Sequence, residues 1–223
     1  MLNEMRFGKL SQTSINAFKA LARPITYQDG IEPTVLFPRR EDVDRANSTK
    51  LKDLNENGWT YPAVDGGTAE INQRAKLLAN FMAPESLPLK INAQVMLIKN
   101  LDESLVNGSM GIVIGFEHKA LFQEDQNGQY YSEEAFGKEE GEGADERRMV
   151  RNKQLKTLLA AGTKPNPVVR FNVPIPGGGV GTRDLLVEPD SFKTELPSGE
   201  VQASRLQVSY FLDGRVQLMG SCL

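Results

Sequence analysis

Sulfur and imidazole are scarce in this chain: one cysteine, Cys222, and one histidine, His118, stand among 223 residues. A lone cysteine forms no internal disulfide, which fits a reducing, intracellular setting. The same scarcity excludes a Cys/His zinc site and a Cys-His dyad. A Ser-His-Asp triad would have to recruit His118, which sits in a polar stretch after an apolar run. No run reaches the roughly 20 apolar residues of a membrane span, and MLNEMRFGKL lacks the continuous apolar centre of a signal peptide. The phosphate-loop pattern G-x-x-x-x-G-K-[ST] is missing as well. Its nearest look-alikes, FGKLS and FGKEE, lack the first glycine and the hydroxyl residue after the lysine. The net charge of −3 gives no positive sign of a nucleic-acid partner, although an acidic mean can hide a local basic surface.

Glycine is plentiful, and its clusters need separate readings. PGGGVGTRD, from Pro176 to Asp184, follows VVRFNVPIP and precedes DLLVE. Strands on both sides leave no helix N-terminus to hold an anion, so a hairpin loop is expected there rather than a phosphate cradle. In LVNGSMGIVIGF, Asn107-Gly108 is a favoured hairpin turn between apolar residues. Gly111 and Gly115 fall inside the following strand pattern, where glycine often marks a bulge or a close backbone approach.

Periodicity divides the chain near residue 85. The first part reads as helices with one short strand. Ser11 or Thr13 can cap a helix whose Ile15, Phe18 and Ala22 share a face before Arg23-Pro24. TVLFP is a short strand bounded by prolines. REDVDRANSTKLKDL places Val43, Asn47, Leu51 and Leu54 at helical spacing, with Asn57-Gly58 expected to close that helix. TAEINQRAKLLANFM reads as a further helix ending at Pro84. From Leu89 the period becomes two: LKINAQVMLIKN puts Leu89, Ile91, Ala93, Val95 and Leu97 on one face. GIVIGF, VVRFNV, DLLVE and VQASRLQV follow as short strands, the pattern of a small barrel or sandwich. Between them, residues 117–167 form a charged insertion in which 133–148 is expected to be disordered, while VRNKQLKTLLAAG suggests a short helix.

Four places carry residues that could serve a function. Asn47 shares a helical stripe with Val43 and Leu51, so an amide points to the packed side; a satisfied core amide and one that positions a neighbouring loop or ligand both fit. Arg39 and Arg40 stand where the short strand passes into its helix, a common place for phosphate contacts, and equally for solvated surface arginines. Lys99 and Asn100 end a strand just before the Asn107-Gly108 turn. Arg170 adds a cation to a later strand of the same β region.

Three blocks in order, LNEMRFGKLS, LFPRREDVDRANSTKLKDL and LKINAQVMLIKNLDESLVNGSMGIVIGF, resemble the Pif-type DNA helicases of superfamily one, and fungal members above all. The resemblance covers roughly Leu2 to Gln207 apart from the charged insertion. It implies a fragment of an ATP-dependent enzyme that unwinds DNA from the 5′ end. Members act in DNA repair and recombination and in telomere, mitochondrial DNA and replication-fork maintenance, in the nucleus or the mitochondrion. The implied fold is α/β plus all-β: part of the second RecA-like domain over residues 1–85, an inserted SH3-like β-barrel over 86–208, and a divergent tail over 209–223.

The resemblance also implies roles. Arg39 or Arg40 becomes a nucleotide sensor, with Asn47 supporting that loop. Lys99, Asn100, Asn107, Gly108, Gly111 and Arg170 become contacts to single-stranded DNA or residues that shape the loop. ATP and Mg2+ are the family's cofactors, and the phosphate loop's absence predicts little nucleotide binding and no unwinding by this chain alone. The acidic insertion is a further expected surface for protein partners. VSYFLDGRVQLMGSCL replaces the T-x-H-K-x-Q-G segment expected after ASRLQ, which suggests a partial or misread gene product.

Overall fold

Local signals set the first unit, Met1–Glu32. Its helices are α1 (Leu2–Arg6) and α2 (Gln12–Ala20). Ser11 caps α2, its hydroxyl accepting the Ser14 amide at 3.3 Å. Glu4 Oε2 accepts the Ser11 amide at 2.9 Å and so ties the two helices together. The computed structural model describes residues 1–23, 31, 33–132, 137, 141, 143–175, 177–212 and 215–217.

The second unit, Pro33–Leu223, holds the remaining elements. In chain order they are β1 (Val35–Phe37), α3 (Arg40–Asp53), β2 (Gly58–Pro62), β3 (Val64–Gly66), α4 (Ile71–Ala79), β4 (Ser86–Lys90), β5 (Gln94–Leu97) and β6 (Met110–Glu117). Then follow α5 (Ala144–Ala160), β7 (Asn166–Pro174), β8 (Val180–Leu186), β9 (Pro189–Glu195), β10 (Val201–Val208), β11 (Tyr210–Leu212) and β12 (Arg215–Gln217). A five-stranded sheet has the order β11-β5-β6-β7-β8 and a three-stranded sheet the order β3-β10-β9, while β2 pairs with β4 and β1 with β12. All pairs are antiparallel except β1–β12. This is a mixed α/β fold with several antiparallel sheets, and the described strands do not close into one barrel. Its core is gathered on the β region: Leu87, Leu89, Val95, Leu97, Val169 and Phe171 are at most 2% exposed and pack together.

Several expectations change. Among the described residues, 1–85 contain three strands instead of one, and all three pair beyond residue 85: β1 with β12, β2 with β4, and β3 with β10. Asn57-Gly58 does not close α3, which stops at Asp53; Gly58 instead opens β2, packed against the Leu89 carbonyl. The run from Leu89 to Leu97 keeps its inward alternation but is two strands, broken at Asn92, whose φ is +67° and whose amide donates to the Val113 carbonyl at 2.8 Å. Strand β9 was not foreseen, because PDSFKTE lacks apolar alternation.

Within the charged insertion, residues 144–148 are not disordered. They form the first turns of α5, a 17-residue helix. Residues 133–136, 138–140 and 142 lie outside the described ones. The helix docks through Arg151, which is buried and pairs with buried Glu117, while its Nη1 donates to the Leu121 carbonyl at 2.6 Å. In the tail, Tyr210–Leu212 pairs with β5 and Arg215–Gln217 runs parallel to β1. Cys222 lies outside the described residues. The glycine cluster after Pro174 is a hairpin, as expected: β7 and β8 are antiparallel, with positive φ at Gly177, Gly178 and Gly179.

Candidate nucleic-acid interface

The connection from β5 to β6 spans residues 98–109, and its own polar groups hold it in shape. Asp102 is the hub. Its Oδ1 accepts the amides of Ser104 at 2.8 Å and Leu105 at 2.9 Å, and the Ser104 hydroxyl at 2.8 Å. Its Oδ2 accepts Arg183 Nη1 from β8 at 2.6 Å. That hydrogen bond, followed by those from Ser104, holds the Asp102 carboxyl well below the usual carboxylate range. Leu105 is fully buried and anchors the loop in the core.

Asn100 and Asn107 come together there. Asn100 Oδ1 accepts the Asn107 amide at 2.7 Å, and the Gly108 amide donates to the Leu97 carbonyl at 2.8 Å. The Asn107-Gly108 pair makes a turn, closed by the Ser109 amide on the Val106 carbonyl at 2.9 Å, and only Gly108 has positive φ, at +94°. The turn lies in the connection between antiparallel neighbours β5 and β6, as the hairpin reading expected, but it lacks the type I′ form, which needs positive φ at both positions. The strands it serves are separated by twelve residues, 98–109. Asn100, Asn107 and Gly108 are all exposed.

Lys99 stands beside this loop, half-exposed. Its Nζ lies 2.6 Å from Asp190 Oδ2 and 5.8 Å from the centroid of the Phe192 ring. The Lys99 hydrogen bond pulls the Asp190 carboxyl below its ordinary value. The remaining two members of the expected group belong to the sheet. Gly111 is buried opposite Phe171, and a Cβ there would meet Val169 Cγ1 at 2.6 Å, the Arg170 carbonyl oxygen at 2.8 Å and Phe171 Cδ1 at 2.9 Å. Arg170 faces Asp184 across β7–β8 and binds it with both arms, Nε to Oδ1 at 2.8 Å and Nη2 to Oδ2 at 2.7 Å. Asp184 is buried, so that bond raises the Arg170 pKa and gives the guanidinium a structural task. Gly115 carries the Tyr130 ring, whose Cε1 would lie 3.2 Å from an added Cβ.

Arg39, Arg40 and Asn47 lie on or at α3. Arg39 is the extended N-cap and does not cap the helix with its side chain. Arg40 Nη1 donates to the Ala79 carbonyl at 3.3 Å. It lines a cleft of about 530 Å³ with Asp44, Asp65, Glu85 and Arg205, where three carboxylates outnumber two guanidiniums. Arg205 is buried, holding Asp65 at 2.7 Å through both Nε and Nη2 and the Ala83 carbonyl at 2.9 Å. Asn47 is buried beside Val43 on the packed side of α3, as its spacing required. Sequence reasoning missed Asp190, Arg183 and Asp102. The Asp-x-Ser spacing of Asp102 and Ser104 was the available sign of a local turn. Among the described residues no cluster of three His, Cys, Asp or Glu could hold a metal ion.

Residues 74–116, which contain the loop, match the family model described as "DNA helicase Pif1, 2B domain". Along 95% of its length the chain is 45% identical to an ATP-dependent DNA helicase PIF1 of Emericella nidulans, covering 28% of that protein. It is 30% identical, again over 95% of its length, to the PIF1 helicase of Candida albicans, covering 27% of it. The crystal structure of the Candida albicans Pif1 helicase aligns with 97% of the chain at a TM-score of 0.67 and 32% identity, with 42% of that chain covered. The chain thus spans little more than a quarter of the length of these curated relatives. Agreement in sequence along nearly the whole chain and in fold makes it similar to one segment of the Pif1-type DNA helicases.

Proposed function

We propose that this chain works as part of an ATP-dependent 5′-to-3′ DNA helicase and contributes the surface that steadies the single strand. The observation that supports this best is the 98–109 loop. It lies in the segment similar to the Pif1 2B domain, is fixed by its own hydrogen bonds, and presents exposed Asn100 and Asn107 beside half-exposed Lys99. A preordered polar loop meets a phosphate or sugar without first losing conformational freedom. Lys99 is exposed enough to exchange Asp190 for a phosphate oxygen. Arg170 and Gly111 shape the sheet under the loop instead of touching DNA. In this reading residues 86–208, β4 to β10, form an SH3-like module.

Arg39 is the better nucleotide sensor of the arginine pair, since Arg40 faces a cleft with a carboxylate excess. The sequence holds no phosphate-loop cradle, and the described residues hold no magnesium-type cluster. No step of hydrolysis is assigned to this chain. A nuclear or mitochondrial location follows from the same kinship.

Fluorescence anisotropy of a labelled oligothymidylate against salt tests the DNA reading. The expected result is weak, salt-dependent binding in which Lys99→Ala lowers the slope of log K against log salt by about 0.7, as for one lost single-strand phosphate contact. An unchanged slope in the variant contradicts a phosphate contact at Lys99.

A further inference from the structure

Next to the loop, residues 101–102, 183 and 185–190 and Ser209 line a second cleft of about 320 Å³. Its walls are Leu101, Leu185, Leu186, Val187 and Pro189. Three ion pairs surround them: Arg183–Asp102 at 2.6 Å, Lys99–Asp190 at 2.6 Å and Lys119–Glu188 at 2.8 Å. Each carboxylate that lines the cleft is thus paired with a cation while Lys99 holds Asp190, so the cleft itself, which Lys99 does not line, offers no surplus charge to a phosphate or a free cation. Ser209 also lines the cleft, and it is 1% exposed. Among the described residues its Oγ is the one buried side-chain polar atom without a hydrogen-bond partner. A buried hydroxyl left unpaired costs free energy, and such atoms call for a ligand or an ordered water.

We infer that this cleft takes one uncharged heterocyclic base from the single strand held by the 98–109 loop, with Ser209 Oγ as its hydrogen-bond partner. This rests on the loop's proposed DNA role and adds to it a contact with a base. The volume lies at the lower end of the range for small-ligand clefts, roughly 300–1,000 Å³, which suits one ring system better than a length of backbone. Apolar walls accept the faces of a base and the hydroxyl its edge. The rim repels nothing neutral. Asp102 joins cleft and loop, since it organises the loop and also forms the rim. An occupant that reaches the hydroxyl must move a wall side chain, and Leu101 and Pro189 are the exposed members of the wall.

The full chain is titrated by anisotropy with a twelve-residue oligothymidylate and with an abasic strand of equal length, for the native protein and Ser209→Ala. The native chain is expected to favour the base-bearing strand roughly three- to tenfold, the span of one hydrogen bond. Ser209→Ala is expected to lose that preference while its thermal midpoint stays equal or rises, because removing an unpaired buried hydroxyl relieves the folded state. A purely structural serine would instead lower the midpoint and leave the preference intact. Equal native affinity for both strands, or an intact preference in Ser209→Ala, overturns this inference alone and leaves an ordered water as the partner of Ser209. Absence of any binding overturns the loop's DNA role as well.

Discussion

Gly111→Ala separates a packing glycine from a glycine kept clear for DNA. The added methyl carbon would stand 2.8 Å from the Arg170 carbonyl oxygen, 2.6 Å from Val169 Cγ1 and 2.9 Å from Phe171 Cδ1. Val169 and Phe171 are fully buried, and a carbonyl in a paired strand cannot swing aside. Overfilling a packed core costs about 1–3 kcal/mol. Alanine recovers roughly 0.5–1 kcal/mol over glycine in a strand. The net loss is about 0.5–2 kcal/mol, or about 1–8 °C in midpoint for a protein of this size. Urea unfolding, followed through Trp59, the single tryptophan, reads it directly. Gly115→Ala meets only the movable Tyr130 ring at 3.2 Å and should cost under about 1 kcal/mol by the same reasoning. If Gly111→Ala proves no more costly than Gly115→Ala, the packing account of β6 is wrong.

Other outcomes follow from the buried polar contacts. Arg151→Met leaves Glu117 buried without its cation and should cost about 3–5 kcal/mol, read as early protease cleavage within α5. Tyr61→Phe removes the 2.9 Å bond to the Pro165 carbonyl and should cost about 1–2 kcal/mol in urea unfolding; burial also pushes the Tyr61 phenol up, so one tyrosine should resist ionisation in an alkaline absorbance titration until the protein unfolds. Asp65 and Asp190 have depressed pKa values in the folded state, through hydrogen bonds from Arg205 and Lys99. Their contribution is therefore full above the unfolded carboxylate pKa of about 4 and is lost as pH falls through the lower folded values. Thermal midpoints should drop below that pH, and more steeply in the native chain than in Asp65→Asn. A midpoint flat down to acid pH would contradict both pairs.

Where the chain's own period decided the outcome, the sequence was readable. Leu89, Val95 and Leu97 alternate inward and are buried, and Val43 and Asn47 keep their helical spacing on the packed side of α3. Ser11 announced its helix by its hydroxyl. What escaped was decided by distant partners. Strand β3 exists because Val64–Gly66 meets β10, some 140 residues on, and nothing near VDG says so. Arg170 looked like a free cation until β8 brought Asp184 opposite it. Lys99 was singled out by its position at the strand end, but Asp190, which pairs with it, lies on β9, whose polar sequence hid the strand. In α5 the charged surface concealed a buried stripe whose central member is an arginine, which a hydropathy reading counts as outside.

The central claim is that the 98–109 loop, in the segment similar to the Pif1 2B domain, meets single-stranded DNA. Amide chemical-shift mapping of the 15N-labelled chain during titration with a short oligothymidylate tests it residue by residue. The account predicts shifts that saturate with binding and concentrate on residues 98–109, Asn100 and Asn107 among them, and at Arg183 and Ser209 beside them. Saturable binding with its shifts on α5 or α3, and none in the loop, would contradict it.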